Sequence, residues 1–443
     1  MMLGWFRPLR LLRAAGCWAV PGRGSGGESG VKLCVRPPRS LADEAVQIRA
    51  AGLGPGQAVT LRAQVVSERG HLFNSCAQYR ADGGGLLDVS SSPSLGGDYL
   101  GVAPMGLFWT LSPASMEKPH QKLSKADLTG SPMYVNLSVH SGHTVPDTVP
   151  GPLLAKQRIE RWYSKPGVRR IRLREGNVRG SLFVPAGDGP FPGVVDLFGD
   201  EGGLTEFRAC LLASRGFAAL ALPYFGFEDL PMTMTDFHLE YFEEAVNYLQ
   251  KYPKVKGPGI GVIGSSKGAD LALSMATFIP QVAACVCISG CNANTISDLH
   301  YKDMHLSSLC YDVDRIIVLK SGILDMSETL KNPNTNKDSI IPLEKAAGHV
   351  LFVVGEDDKI WNSKLFAEEA IKRLKEHGRD NYELLSYPGT GHSIEPPCSP
   401  FRFATIDQLF GIPVLLGGEA IKHCYAQQDS WQKIQDFLRL HLC

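Results

Sequence analysis

The feature that most constrains this chain is a change of texture about two fifths of the way along it. From residue 191 onward, near-continuous apolar runs of strand length alternate with amphipathic helical segments. FPGVVDLFG, FAALALPYF, IGVIGS, VAACVCIS, HVLFVVGEDD and YELLSYPG read as strands. Between and after them LTEFRACLLASRG, DFHLEYFEEAVNYLQKYP, KGADLALSMATFI, SKLFAEEAIKRLKEHG and DSWQKIQDFLRLHL read as helices. A strand that is apolar on both faces has to be covered on both, so the alternation predicts a mostly parallel sheet between two layers of helices. A hairpin, GVRRIRLREGNVRGSLFVPAG, leads into it. The roughly 55 residues from Cys291 to Lys345, including HYKDMHLSSL and IIVLKSGIL, interrupt the alternation. They are expected either to cover a pocket or to form an ordinary decorated insertion.

Residues 31–164 look different. VKLCVRP, AVQIRAAGL, AVTLRAQVVS, LFNSCAQYRA, GLLDVSS, MGLFWTLSP, MYVNLSVHS and RIERWYS are short strands punctuated by Gly and Pro. That spacing predicts an all-β, immunoglobulin-like sandwich. It gathers no nucleophile, base and acid, and so reads as a structural or lid-like module.

The chemistry lies in Gly264-Ser265-Ser266-Lys267-Gly268, a G-x-S-x-G between an apolar strand and a helix. A strand-to-helix turn this tight strains the serine backbone and leaves no room for bulk at the flanking positions, while the hydroxyl projects over the sheet. One frame fits, which makes Ser266 the candidate nucleophile and Ser265 a bystander; the competing reading is a turn serine capping the helix. Gly259, Gly261 and Gly264 also match a dinucleotide-binding spacing, but they precede the turn that such a site requires.

A serine hydroxyl needs a base, and the base needs an orienting acid. In an α/β-hydrolase fold these follow in the order serine, acid, histidine. HVLFVVGEDD ends in Asp357 and Asp358, and YELLSYPGTGH delivers His392 to a Gly-flanked loop. Either aspartate fits the pattern. His349 precedes its strand, while His423 and His441 come late. Backbone N–H groups of Lys267 and of the loop beginning at Gly199 are the candidate oxyanion donors, with Asp200 the alternative to Gly199. Residues 166–443 therefore read as an α/β-hydrolase domain behind the sandwich of 31–165. The chemistry calls for no metal or cofactor.

Composition excludes other classes. The 443 residues carry 45 Lys+Arg against 45 Asp+Glu, without the basic excess that nucleic-acid binding demands. No apolar run reaches the length of a membrane span, so no integral membrane association is expected. The 11 cysteines are scattered, as in a reducing compartment. Cys285, Cys287 and Cys291 are close together but lack zinc spacing and read as buried thiols. Residues 1–27 hold Arg7, Arg10, Arg13 and Arg23 and no acid. On a helical projection Trp5, Leu9 and Leu12 lie opposite the first three arginines. This reads as a mitochondrial presequence within a leader of residues 1–30, with a secretory signal or a flexible Gly-rich tail as alternatives. Its removal would leave 41 basic against 45 acidic residues. The final His441-Leu442-Cys443 is not the S-K-L peroxisomal signal, so the mitochondrial matrix is expected, or else the cytosol.

From about residue 40 to the C-terminus the chain resembles the type I acyl-CoA thioesterases and their relative bile acid-CoA:amino acid N-acyltransferase. The resemblance is carried by YRADGGGLLD, GPFPGVVDLFG, FEDLP, HLEYFEEAVNYL, SKGADLALSMA, VGEDDKIW, YPGTGHSIEPP and LLGGEAIKH. It implies a Ser/Asp/His triad and hydrolysis of acyl-CoA, and its acid corresponds to the second aspartate of GEDD, Asp358. The acyltransferase branch typically carries Cys at the nucleophile, so Ser266 implies a thioesterase. Ser265 departs from the apolar residue of the family, and looser packing behind the elbow is expected there.

Overall fold

The computed structural model describes residues 30–115, 118–144, 149–199, 201–397, 399–407 and 411–443. The presequence expected in residues 1–27 and the alternative oxyanion position Asp200 lie outside the described residues.

Two antiparallel arrays make up the β-rich part. Lys32–Arg36, Gln47–Ala51 and Leu87–Asp88 form one sheet, and a larger one is built on Ala58–Val66, Leu72–Arg80, Met133–Ser141 and Leu153–Trp162. Alternate residues point into a shared core, with Val59, Leu61, Ala63 and Val65 buried from one sheet and Val35, Ile48 and Ala50 from the other. This is the period-2 pattern of strands buried on one face. The MGLFWTLSP segment, expected as a strand, instead makes a helical turn at Gly106–Trp109, with only Ser112–Pro113 extended. Its apolar run does not alternate, and a helical turn lets Leu107, Phe108 and Trp109 all enter the core.

The second part is one eight-stranded sheet. Its strands are β1 (Arg169–Glu175), β2 (Val178–Val184), β3 (Phe191–Leu197), β4 (Ala218–Ala221), β5 (Val255–Ser265), β6 (Val282–Ile288), β7 (His349–Gly355) and β8 (Tyr382–Tyr387). They run in the order β1-β2-β4-β3-β5-β6-β7-β8, with β1/β2 and β2/β4 antiparallel and every other neighbour parallel. Helices α1 (Phe207–Ser214), α2 (Leu239–Lys251), α3 (Lys267–Phe278), α4 (Ser363–Glu376) and α5 (Ala420–Leu442) cover it. This is the α/β-hydrolase arrangement that the alternation predicts. The apolar residues of α2 recur at helical spacing, with Leu239, Phe242, Val246 and Leu249 buried against the sheet. Helix α5 begins nine residues before the expected DSWQKI segment, where Gly417 and Gly418 at positive φ end the preceding chain. No helix among the described residues is long and apolar enough to cross a membrane.

Val31–Cys443 cluster as one unit. Asp43 of the β-rich part accepts hydrogen bonds from Arg215 after α1 (2.7 Å) and from the Trp431 indole of α5 (2.8 Å). The insertion at 291–345 contributes the hairpin Ile317–Val318/Leu324–Asp325, which is extended into a four-stranded sheet by Pro413–Leu415 and Ala404–Ile406.

Candidate active site

Ser266 follows β5 and caps α3 with φ 56° and ψ −127°, a left-handed conformation that disfavours any side chain. The flanking glycines are required by close approach. A Cβ on Gly264 would run into the Gly268 carbonyl, and one on Gly268 into the Phe198 carbonyl. The Ser266 side chain makes no capping hydrogen bond to the helix, contrary to the competing reading as a helix cap.

The loop after β7 supplies Asp358 and the loop after β8 supplies His392. Asp358 Oδ2 lies 2.8 Å from His392 Nδ1, while its other oxygen accepts the N–H groups of Ile360 (3.0 Å) and Trp361 (3.3 Å). Asp357 turns away to the N–H of Gly418 (2.9 Å) and to Lys359 (3.1 Å). His392 is otherwise held through its backbone: its carbonyl accepts from Ser289 Oγ (2.8 Å) and its N–H donates to Leu416 (2.9 Å). The Trp361 ring stands edge-on to the imidazole at 5.5 Å. Asp358 engages Nδ1 of the ring, and Ser266 and His392 line the same cavity.

His423, set aside from its sequence position as coming too late for the base, braces this loop from both sides. Its Nδ1 accepts the Gly391 N–H (3.1 Å) and its Nε2 donates to the Ser393 carbonyl (2.9 Å). Burial lowers its pKa to about 4, so the ring is neutral and can accept. A lone histidine on a long helix carries no motif, and its role becomes visible only once α5 packs against the loop.

Gly199 lies beside Ser266. A Cβ there would stand 2.8 Å from Ser266 Cβ. The Tyr224 hydroxyl bonds the carbonyls of Phe198 (2.8 Å) and Gly199 (2.9 Å), and a trans peptide then directs the Gly199 N–H away from Tyr224. Lys267 is the first residue of α3, where the N–H has no carbonyl four residues back within the helix. Its side chain is buried, donating to Asn294 Oδ1 (2.9 Å) and the Thr295 carbonyl (2.7 Å) and pairing with Asp270 (3.3 Å). Burial pushes the Asp270 carboxyl up to about 6 against the pull of Lys267. This buried pair pins the start of the 291–345 insertion to α3.

The cavity holding Ser266 and His392 measures about 390 Å³. Its walls are mostly apolar, with Ile296, Tyr311, Ile316, Leu324 and Met326 from the insertion facing Val414 and Leu416. The insertion therefore does cover a pocket. At one end Lys122, Glu201, Glu395 and Arg402 form a charge-balanced group, with Lys122 2.8 Å from Glu395. The same four residues line a second cavity of about 640 Å³ that extends toward the β-rich part. Spread over nearly 300 residues, these four carry no recognisable motif. Cys285, Cys287 and Cys291 are buried in the core, and burial raises their thiol pKa values.

Two family models match the chain. "Acyl-CoA thioester hydrolase/BAAT N-terminal region" matches residues 43–175, and "BAAT / Acyl-CoA thioester hydrolase C terminal" matches residues 237–443. Human acyl-coenzyme A thioesterase 2, mitochondrial, is 49% identical over 91% of this chain and 83% of its own length. Human acyl-coenzyme A thioesterase 1 is 49% identical over 91% and 95%. Mouse acyl-coenzyme A amino acid N-acyltransferase 2 is 47% identical over 93% and 98%. Matches of this identity across both parts of the chain establish that it belongs to the acyl-CoA thioester hydrolase/BAAT family.

Proposed function

We propose that this protein hydrolyses fatty acyl-CoA thioesters to fatty acid and CoA through Ser266, His392 and Asp358. The observation that carries the reading is the pairing of a strained Ser266 with an Asp358-bonded His392 on one largely apolar cavity. His392 takes the Ser266 proton as Oγ attacks the thioester carbonyl, and Asp358 holds the tautomer and stabilises the imidazolium. Backbone N–H groups of Gly199 and Lys267 receive the oxyanion. The C–S bond breaks, the proton passes to the CoA sulfur, and water deprotonated by His392 then releases the acid from the serine ester.

The apolar cavity suits the acyl chain. The leaving group extends past the Lys122–Glu395 group into the larger cavity, whose balanced charges fit the neutral pantetheine arm better than the phosphates. Residues 31–165 serve as an immunoglobulin-like sandwich that supplies part of this second wall, and residues 166–443 as the catalytic domain. The Arg-bearing residues 1–27 direct the chain to the mitochondrial matrix, a reading supported by the relative named as mitochondrial. Comparing cell fractions of full-length and 28–443 chains tests that placement.

The test of function is turnover of a long-chain acyl-CoA by wild type and Ser266→Ala, with and without glycine or taurine. Thiol release with free acid as product, abolished in the variant, is expected. Acyl-amino acid as the main product would assign the chain to the N-acyltransferase activity for which its mouse relatives are named. Unchanged turnover in Ser266→Ala would overturn the mechanism.

A further inference from the structure

Behind the elbow sits a buried cation that the mechanism does not use. Arg208, on α1, is 1% exposed. Its Nε donates to Asp196 Oδ1 (2.7 Å), its Nη2 to the Leu197 carbonyl (2.8 Å) and its Nη1 to Ser265 Oγ, while the guanidinium lies 4.1 Å above the Phe198 ring. Asp196, Leu197 and Phe198 are consecutive residues running from the end of β3 into Gly199. Ser265 is the last residue of β5, directly before Ser266. One planar, five-donor side chain thus joins the strand end that carries the proposed oxyanion loop to the strand end that carries the nucleophile. Asp196 balances the charge, and the Leu197 carbonyl and Ser265 Oγ accept from the two terminal nitrogens. Ser265, far from loosening the packing behind the elbow, is the acceptor that completes this set.

We propose that Arg208 is a positioning residue that sets the separation between Ser266 and the Gly199 N–H, and that Ser265 is its contact on the nucleophile side. The proposal rests on the reading of Ser266 as nucleophile and Gly199 as oxyanion donor. In a site where a misplacement of about 1 Å costs roughly 100-fold, a shift between these two strand ends lowers the rate of every reaction that passes through the oxyanion, while leaving the apolar walls that the 291–345 insertion contributes to the cavity alone. Lysine cannot reproduce the three directions of the guanidinium.

The experiment uses Arg208→Lys and Ser265→Ala in the full chain, with active sites titrated by a fluorophosphonate. Turnover per titrated site is read on an acyl-CoA and on a p-nitrophenyl ester of the same acyl chain. The expected result is a fall in kcat of about 100-fold for Arg208→Lys and about 10-fold for Ser265→Ala, equal on both substrates, with KM within about twofold of wild type. Should Arg208→Lys fail to fold, Ser265→Ala, which removes a single oxygen, decides the matter by itself. A lowered Tm or a reduced titrated fraction with wild-type kcat per site marks a purely structural role and overturns the proposal. Full turnover in Ser266→Ala overturns both the proposal and the function it rests on, whereas an inactive Ser266→Ala beside an unaffected Ser265→Ala overturns only the positioning role.

Discussion

The backbone of Ser266 allows catalysis and stability to be separated by two substitutions at one position. At φ 56° and ψ −127°, a residue with a Cβ bears about 1–3 kcal/mol of strain. Alanine keeps the Cβ and therefore the strain. Because the Ser266 hydroxyl makes no capping bond, Ser266→Ala should unfold at nearly the wild-type temperature. Glycine relieves most of the strain but loses about 0.5–1 kcal/mol to the greater freedom of its unfolded chain. The balance favours Ser266→Gly over Ser266→Ala by about 1 kcal/mol, or about 2 °C in midpoint for a cooperative unit of this size. Thermal unfolding followed by circular dichroism measures the difference, and both variants should be devoid of turnover. A glycine variant no more stable than the alanine variant would refute the strained elbow, whatever happens to activity.

Asp358→Asn should lower kcat by roughly 10²–10⁴-fold by disturbing the His392 tautomer, whereas Asp357→Asn should stay near wild type; similar losses in the two would remove the distinction between the neighbouring acids. Gly199→Ala places a methyl 2.8 Å from Ser266 Cβ, and should abolish fluorophosphonate labelling in a chain that still folds. Gln121→Trp, in the wall of the larger cavity, should raise KM for acyl-CoA several-fold but not KM for the p-nitrophenyl ester of the same chain, and an equal effect on both would displace the pantetheine arm from that cavity. Burial holds His423 near pKa 4, below its unfolded value of about 6.5. The unfolded chain therefore binds the extra proton between these limits, and stability present above pH 6.5 is lost as pH falls toward 4, by up to about 3 kcal/mol. Urea unfolding at pH 7 and pH 5 should show that loss in wild type and a smaller one in His423→Gln.

Much of this architecture is legible in one dimension because its causes are local. Strands apolar on both faces require cover on both, and the G-x-S-x-G flanked by a strand and a helix marks the elbow by steric need alone. The chain order of serine, acid and histidine follows from which strand ends share the edge of a parallel sheet. The choice of Asp358 over Asp357 has no local cause. Neighbouring residues on a turn point in different directions, and only packing sends one to His392 and the other to Gly418.

Where apolar residues do not alternate, as in MGLFWTLSP, periodicity cannot separate strand from helical turn, and burial of Leu107, Phe108 and Trp109 decided the outcome. His423 meets the loop of His392 from some 30 residues away, Arg208 meets Ser265 from 57 residues away, and Lys122 lies far in sequence from Glu201, Glu395 and Arg402. Their roles rest on distances of a few ångströms across helices and loops, which no spacing rule encodes. By itself the sequence determined the sheet, the strained turn at Ser266 and the strand ends that carry Asp358 and His392, since each is dictated by local sterics and hydrophobic burial. The tertiary structure alone decided what braces the loop of His392, what lies behind the elbow and what walls the cavity, and it gave the physical reason for Asp358, which the family resemblance had singled out and the local pattern had not, because those are matters of long-range packing.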